Sequence, residues 1–236
     1  MTPVLQLAGI RKNYHSLRPL RVRELTITPG ERVAISGLDA GAAEVMVNLV
    51  TGASLPDEGE VRVLGRTTSD IVSGDDWLAS LDRFGIMSPR GVLLESATIA
   101  QNLAMPFTLE IDDMPPDIAA RVAALAAECG IPDITCVTGE AAPEMRARVH
   151  FARAVALAPS LLILEHPTAD VPERSRQALA KDVNAVTAAR QLAALVITQD
   201  DAFAEAAADR ALRLDGATGV LKSRKSMRRG WFGSMR

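Results

Sequence analysis

Apolar and polar positions along this chain change rhythm several times, and each change predicts an element. Val4 to Ala8 and Val22 to Thr28 read as strands, the second placing Val22, Leu25 and Ile27 in imperfect alternation. Pro29-Gly30 marks a turn. The run Glu31-Arg32-Val33-Ala34-Ile35-Ser36 reads as a short buried strand, and Glu44 to Val50 as a helix that ends near Gly52. Glu60 to Gly65 alternates polar with apolar residues and predicts another strand. Thr67 to Asp76 is polar and predicts a loop.

From about Trp77 to Ala158 helical patterns dominate. Ile118 to Cys129 is strongly amphipathic, with Pro115-Pro116 as a start signal and Gly130 as a stop. Sheet patterns then return. Leu161-Leu162-Ile163-Leu164 is a continuous apolar strand, Glu173 to Gln191 a helix, and Ala193 to Thr198 a second apolar strand. Ala202 to Asp209 is a helix and Ala211 to Leu214 a short closing strand. Strands alternating with helices imply an α/β fold with a mostly parallel sheet covered on both faces. The expected division is an α/β core of residues 1–76 and 151–221, a helical subdomain over 77–150, and a basic tail over 222–236.

The chain has 236 residues and is 48% hydrophobic, enough for a sizeable core. A net charge of −3 argues against a general nucleic-acid surface. Cys129 and Cys136 are too few for a disulfide framework and fit no common zinc spacing, so they read as ordinary thiols of a reducing cytosol. The N-terminal residues lack the pattern of a secretory signal, and no run approaches the ~18 apolar residues of a membrane-crossing helix. The tail gathers Lys222, Arg224, Lys225, Arg228, Arg229 and Arg236 around Trp231 and Phe232. It reads either as a solvated C-terminus or as an attachment to an anionic membrane surface or acidic partner face.

The candidate chemistry lies in Gly37-Leu38-Asp39-Ala40-Gly41-Ala42-Ala43-Glu44. A strand, a glycine-containing turn and a helix form the usual housing for nucleotide phosphates, with the pattern G-x-x-x-x-G-K-[S/T]. Gly37 keeps the first position, but Ala42 stands for the second glycine, Ala43 for the lysine and Glu44 for the metal-binding hydroxyl. A carboxylate at about 4 Å from a phosphate oxygen, at an effective dielectric near 20, repels it by roughly 4 kcal/mol. That is on the order of a thousandfold in affinity. Because a helix N-terminus attracts anions, Glu44 or Asp39 is a candidate to fill the phosphate position from within.

Framework residues around this loop resemble the ATP-binding cassette (ABC) transporter ATPase subunits, through about residue 221. The resemblance rests on Tyr14, Pro56-Asp57-Glu58-Gly59-Glu60-Val61, Leu93-Leu94, Thr98-Ile99, Asn102-Leu103-Ala104, Arg148 to Ala154, Pro159 to Thr168 and Ala208 to Leu212. It implies a P-loop NTPase-like core with added N-terminal antiparallel strands and a helical subdomain. By resemblance Tyr14 is the adenine-stacking aromatic and Pro89 stands at the loop glutamine. Glu165 stands at the metal-binding aspartate, His166 at the catalytic glutamate and Gln199 at the switch histidine. Ala141-Ala142-Pro143-Glu144-Met145 aligns with the signature Leu-Ser-Gly-Gly-Gln, where Pro143 offers no amide donor and Glu144 adds negative charge.

Six altered positions in an intact framework imply a cassette that kept the fold without the reaction. The expectation is a structural or regulatory subunit of a membrane transport assembly, with no cofactor, on the cytoplasmic face of the cell membrane. Its partners would be a membrane permease, a second ABC subunit, or both. Two alternatives stay open. One is an unusual ATPase in which Glu165 holds magnesium and His166 acts as base. The other keeps ATP as a static ligand stacked on Tyr14. A segment from Asn102 to Phe107 resembles subunits of lipid, lipoprotein or macrolide export systems.

Overall fold

The computed structural model describes residues 2–223. The N-terminal part pairs β1 (Leu5–Lys12) with β2 (Leu20–Ile27) on one side and β4 (Glu58–Val63) on the other, both antiparallel. The two-residue β5 (Arg66–Thr67) extends this sheet to the order β2-β1-β4-β5. A second sheet holds β3 (Arg32–Ser36), β6 (Phe84–Met87), β7 (Leu161–Glu165), β8 (Ala193–Ile197), β9 (Arg210–Asp215) and β10 (Val220–Ser223). Its order is β10-β9-β3-β8-β7-β6, parallel throughout except for the antiparallel β10.

Both faces of the parallel sheet are covered, which is why its strands read as continuous apolar runs. Along β7 and β8, residues Leu161, Ile163, Ala193, Leu195 and Ile197 face the layer shared with the N-terminal sheet and helix α1 (Ala40–Val50). Leu162, Leu164, Ala194 and Val196 face the opposite layer. There they meet α3 (Ile99–Ala104), α4 (Pro116–Glu128), α5 (Pro143–Val155), α6 (Glu173–Ala189) and α7 (Asp201–Ala207).

Several expectations need correction. The polar stretch expected as a loop over Thr67–Asp76 holds the end of β5, a 3-10 turn at Thr68–Asp70 and the start of α2 (Gly74–Leu81). Ser73 caps α2 by accepting from the Asp76 amide at 3.2 Å, a local signal that the polar composition hid. The stretch 77–150 also holds a core strand, because β6 pairs in parallel with β7. Helix α1 begins at Ala40 rather than at Glu44. Of the basic tail, only Lys222 and Ser223 fall among the described residues; Lys222 lies in β10, 3.2 Å from Asp215 Oδ2. The reading of residues 224–236 as a membrane attachment lies outside them. Among the described residues no helix is long and apolar enough to cross a membrane.

Candidate functional site

Strands β3, β7 and β8 run parallel and end on one edge of the sheet, where α/β folds place their ligand crevices. The loop after β3 opens at Gly37, whose φ is +91°. A Cβ there would lie 2.6 Å from the Leu214 carbonyl oxygen, so only glycine fits this close approach. Leu38 then turns into the core, 1% exposed.

The next residues form a helix instead of an open cradle. Asp39 is the N-cap of α1, and its Oδ1 accepts from the Ala42 amide at 2.8 Å. The Ala43 amide donates to the Asp39 carbonyl at 2.8 Å. One of the free amides at this helix start, that of Ala42, is therefore taken by the Asp39 side chain, while the Ala43 bond is the first intrahelical bond of α1. Ala40 and Gly41 are exposed, whereas the Ala43 methyl is fully enclosed. Tyr14 leans on this turn, since a Cβ on Gly41 would meet Tyr14 Cε2 at 3.4 Å. Of the two carboxylates expected to fill the phosphate position, Asp39 engages the helix start. Glu44 turns elsewhere.

Its partner is Arg90, a residue the sequence reading did not single out. Arg90 grips Glu165 with both nitrogens, Nη1 to Oε1 at 3.0 Å and Nη2 to Oε2 at 2.6 Å. Its Nη1 also lies 3.7 Å from Glu44 Oε2. The Glu165 side chain is 2% exposed and Arg90 is 46% exposed, so a half-solvated guanidinium closes over a buried carboxylate. Arg90 is aimed by the turn after β6: its amide donates to Ser88 Oγ at 3.1 Å, and the Gly91 amide to the Ser88 carbonyl at 2.9 Å. The signal in the sequence was the carboxylate at the end of an apolar strand. A buried glutamate needs a counter-charge, and Arg90, next to Pro89, is the cation that supplies it.

Gln199, just beyond β8, donates from Nε2 to the Leu38 carbonyl, tying that strand end to the loop after β3. His166 follows Glu165 with φ +45°, and its amide donates to the Ile197 carbonyl at 2.8 Å. Its Nε2 is buried with no hydrogen-bond partner among the described residues. His166 and Pro89 line a cleft of about 290 Å³ together with Glu165, Arg146, His150 and Asp170. The structure thus brings Tyr14, Asp39, Glu44, Glu165 and Gln199 around one strand edge, with His166 and Pro89 in the adjoining cleft. Pro143 is the first residue of α5, and Ala142 before it makes no side-chain cap bond. No group of three or more potential metal-ligating side chains occurs among the described residues.

Comparison with known proteins agrees with this architecture. The family model of the ABC transporter matches residues 20–169, and the chain belongs to that family. It is 28% identical over 218 residues to the lipoprotein-releasing system ATP-binding protein LolD of Pseudomonas syringae, covering 90% of this chain and 95% of that one. It is 28% identical over 219 residues to the methionine import ATP-binding protein MetN of Brucella abortus, spanning 90% of this chain but 58% of that longer one. Among solved structures, cbiO1 of Clostridium perfringens superposes with a TM-score of 0.80 at 18% identity, covering 97% of this chain and 92% of that one. A dimeric ATP-binding cassette bound to ADP and Pi gives 0.74 at 19% identity, covering 93% and 98%. These last two likenesses bear on the fold, a P-loop NTPase-like α/β cassette.

Proposed function

We infer that this chain is a cassette subunit of an ABC-type membrane transport assembly that has lost ATP hydrolysis and serves a structural or regulatory role. The observation that carries the reading is the clasp of Arg90 on Glu165. Both oxygens of the carboxylate that would ligate magnesium already accept from a guanidinium on the same chain. The lysine position is an enclosed methyl at Ala43, and Asp39 holds the Ala42 amide. These residues do not fit a magnesium nucleotide: the loop lacks a cation, and the metal ligand is saturated.

The relatives' printed roles, lipoprotein release and methionine import, support transport as the setting without choosing a cargo. A groove of about 300 Å³ beside Pro89, lined by Ile86, Val92, Met105, Pro106 and Leu157, supports docking onto the cytoplasmic loops of a permease. Val92 is 74% exposed there, an apolar side chain without cover among the described residues. The segment from α3 to α5 would carry that contact, placing the subunit peripherally on the inner face of the cell membrane.

Calorimetric titration with millimolar Mg-ATP, paired with a phosphate-release assay, tests the reading. The expected result is no saturable heat and no turnover. Steady turnover that disappears in His166→Ala would overturn it in favour of a working ATPase. Saturable binding without turnover would select a static nucleotide held against Tyr14.

A further inference from the structure

A second cavity, of about 230 Å³, lies outside the strand-edge site and opens between the β4–β5 hairpin, the 3-10 turn, α2 and the end of α1. Its walls include the apolar side chains of Val50, Val63, Leu64, Ile71 and Phe84. Thr68 also lines it. That residue is 4% exposed, and its Oγ1 is buried with no hydrogen-bond partner among the described residues. Buried hydroxyls without partners are rare in folded proteins, and one lining a cavity is free to bond whatever fills it.

The charge at the rim says which kind of guest. Arg66 is neutralised by Asp76 through bonds of 2.7 and 2.6 Å. Arg83 also lines the cavity, but its Nε and Nη2 both donate only to the neutral Ser160 hydroxyl, each at 3.3 Å. One guanidinium at the rim therefore has no carboxylate partner among the described residues. A space of about 230 Å³ suits a small ligand.

We propose that this cavity binds a small organic anion with an apolar body, of the short-chain carboxylate class. The chain of the ligand lies against the apolar walls, Thr68 Oγ1 bonds a ligand oxygen, and Arg83 exchanges its long contacts to Ser160 for the carboxylate. No residue of this cavity belongs to the Arg90–Glu165 site, so the proposal stands apart from the reading of nucleotide chemistry.

The test is calorimetric titration of the full chain with sodium hexanoate, with hexan-1-ol and hexylamine as comparisons. Saturable one-to-one binding of hexanoate is expected, with hexylamine silent and hexanol much weaker. R83Q should weaken hexanoate about tenfold, the range of a lost charge-assisted hydrogen bond. T68V should weaken it several-fold and T68S should keep wild-type affinity, a pair that remains decisive where R83Q does not fold. Heats that do not saturate, hexanol binding as tightly as hexanoate, or unchanged affinity in T68V would each overturn the proposal.

Discussion

Arg90 and Glu165 meet through two hydrogen bonds, 3.0 and 2.6 Å long, at the end of strand β7. A carboxylate that is 2% exposed is covered there by a cation from the loop after β6. Removing the cation leaves the charge in a poorly solvated place. Arg90→Ala should therefore destabilise the fold by about 2 kcal/mol, from the lost charge-assisted bonds. The figure falls short of the ~3–5 kcal/mol of a fully buried pair because water already reaches the guanidinium. Arg90→Ala combined with Glu165→Gln should recover much of the loss. Urea denaturation of the two single variants and the double variant measures the coupling directly.

The loop after β3 offers a gain-of-function test of the same reading. Ala43→Lys with Glu44→Ser places a cation and a hydroxyl where the family pattern has them. It also removes the second carboxylate that Arg90 faces. Mg-ATP affinity should rise by at least about tenfold, the size of one favourable charge contact. Adding Arg90→Gln to free Glu165 should raise it again. If neither set moves the calorimetric isotherm, the obstruction is Asp39 on the Ala42 amide, and Asp39→Gly becomes the informative change.

Much of the fold was legible because its central strands are buried on both faces. Leu161 to Leu164 and Ala193 to Thr198 could be read as core strands of a parallel sheet from their continuous apolar runs between helices, and the second ends at Ile197. Strand β6 was not legible. Its sequence Phe-Gly-Ile-Met is four residues long and lies in a region of helical pattern, and only the pairing with β7 defines it. Strand β10 escaped for a similar reason: it is an edge strand with a half-exposed pattern. At the site, family resemblance pointed to Glu165 and Gln199, which lie at the end of β7 and just beyond β8. It could not give Arg90, because the pairing spans 75 residues and depends on how the turn at Ser88 aims the guanidinium. The competition between Asp39 and Glu44 was likewise a question of rotamers and helix start, settled by the extension of α1 back to Ala40.

His150 on α5 should make stability depend on pH. Burial first, then the nearby Arg153 and Arg146, hold its pKa below the ordinary value of 6.5, while Asp170 opposes them weakly. The folded state thus keeps this imidazole neutral where the unfolded chain would protonate it. Its contribution is fully present above about pH 6.5 and is lost as pH falls from there through the depressed folded value. Melting curves from pH 7.5 to 5.5 should fall more steeply for the wild type than for His150→Gln. Parallel slopes would place the histidine in an ordinary environment.

The two thiols should differ in reactivity. Cys129 is fully buried, and burial first, then the Glu128 charge, pushes its pKa up to about 12. Cys136 is half-buried, with its Sγ donating to the Val137 carbonyl at 3.3 Å. A thiol reagent at pH 8 should therefore modify one cysteine per chain in the native state and two in urea. Cys136→Ser should abolish the native reaction, and Cys129→Ser should leave it unchanged.

The closest steric test of the architecture is Gly85 in β6. A Cβ there would lie 2.0 Å from the Ala154 carbonyl oxygen and 2.8 Å from Pro159 Cγ. The strand passes so near the end of α5 that no side chain fits between them. Gly85→Ala must therefore push β6 or α5 away, at about 2–3 kcal/mol if the shift is local. The movement would also carry the loop that holds Arg90, since β6 ends at Met87 and Arg90 follows three residues later. Gly85→Ala should thus reduce the coupling between Arg90 and Glu165 in the double-variant cycle as well as lower the urea midpoint. A lowered midpoint with the coupling intact would mean that the turn at Ser88 positions Arg90 independently of the strand.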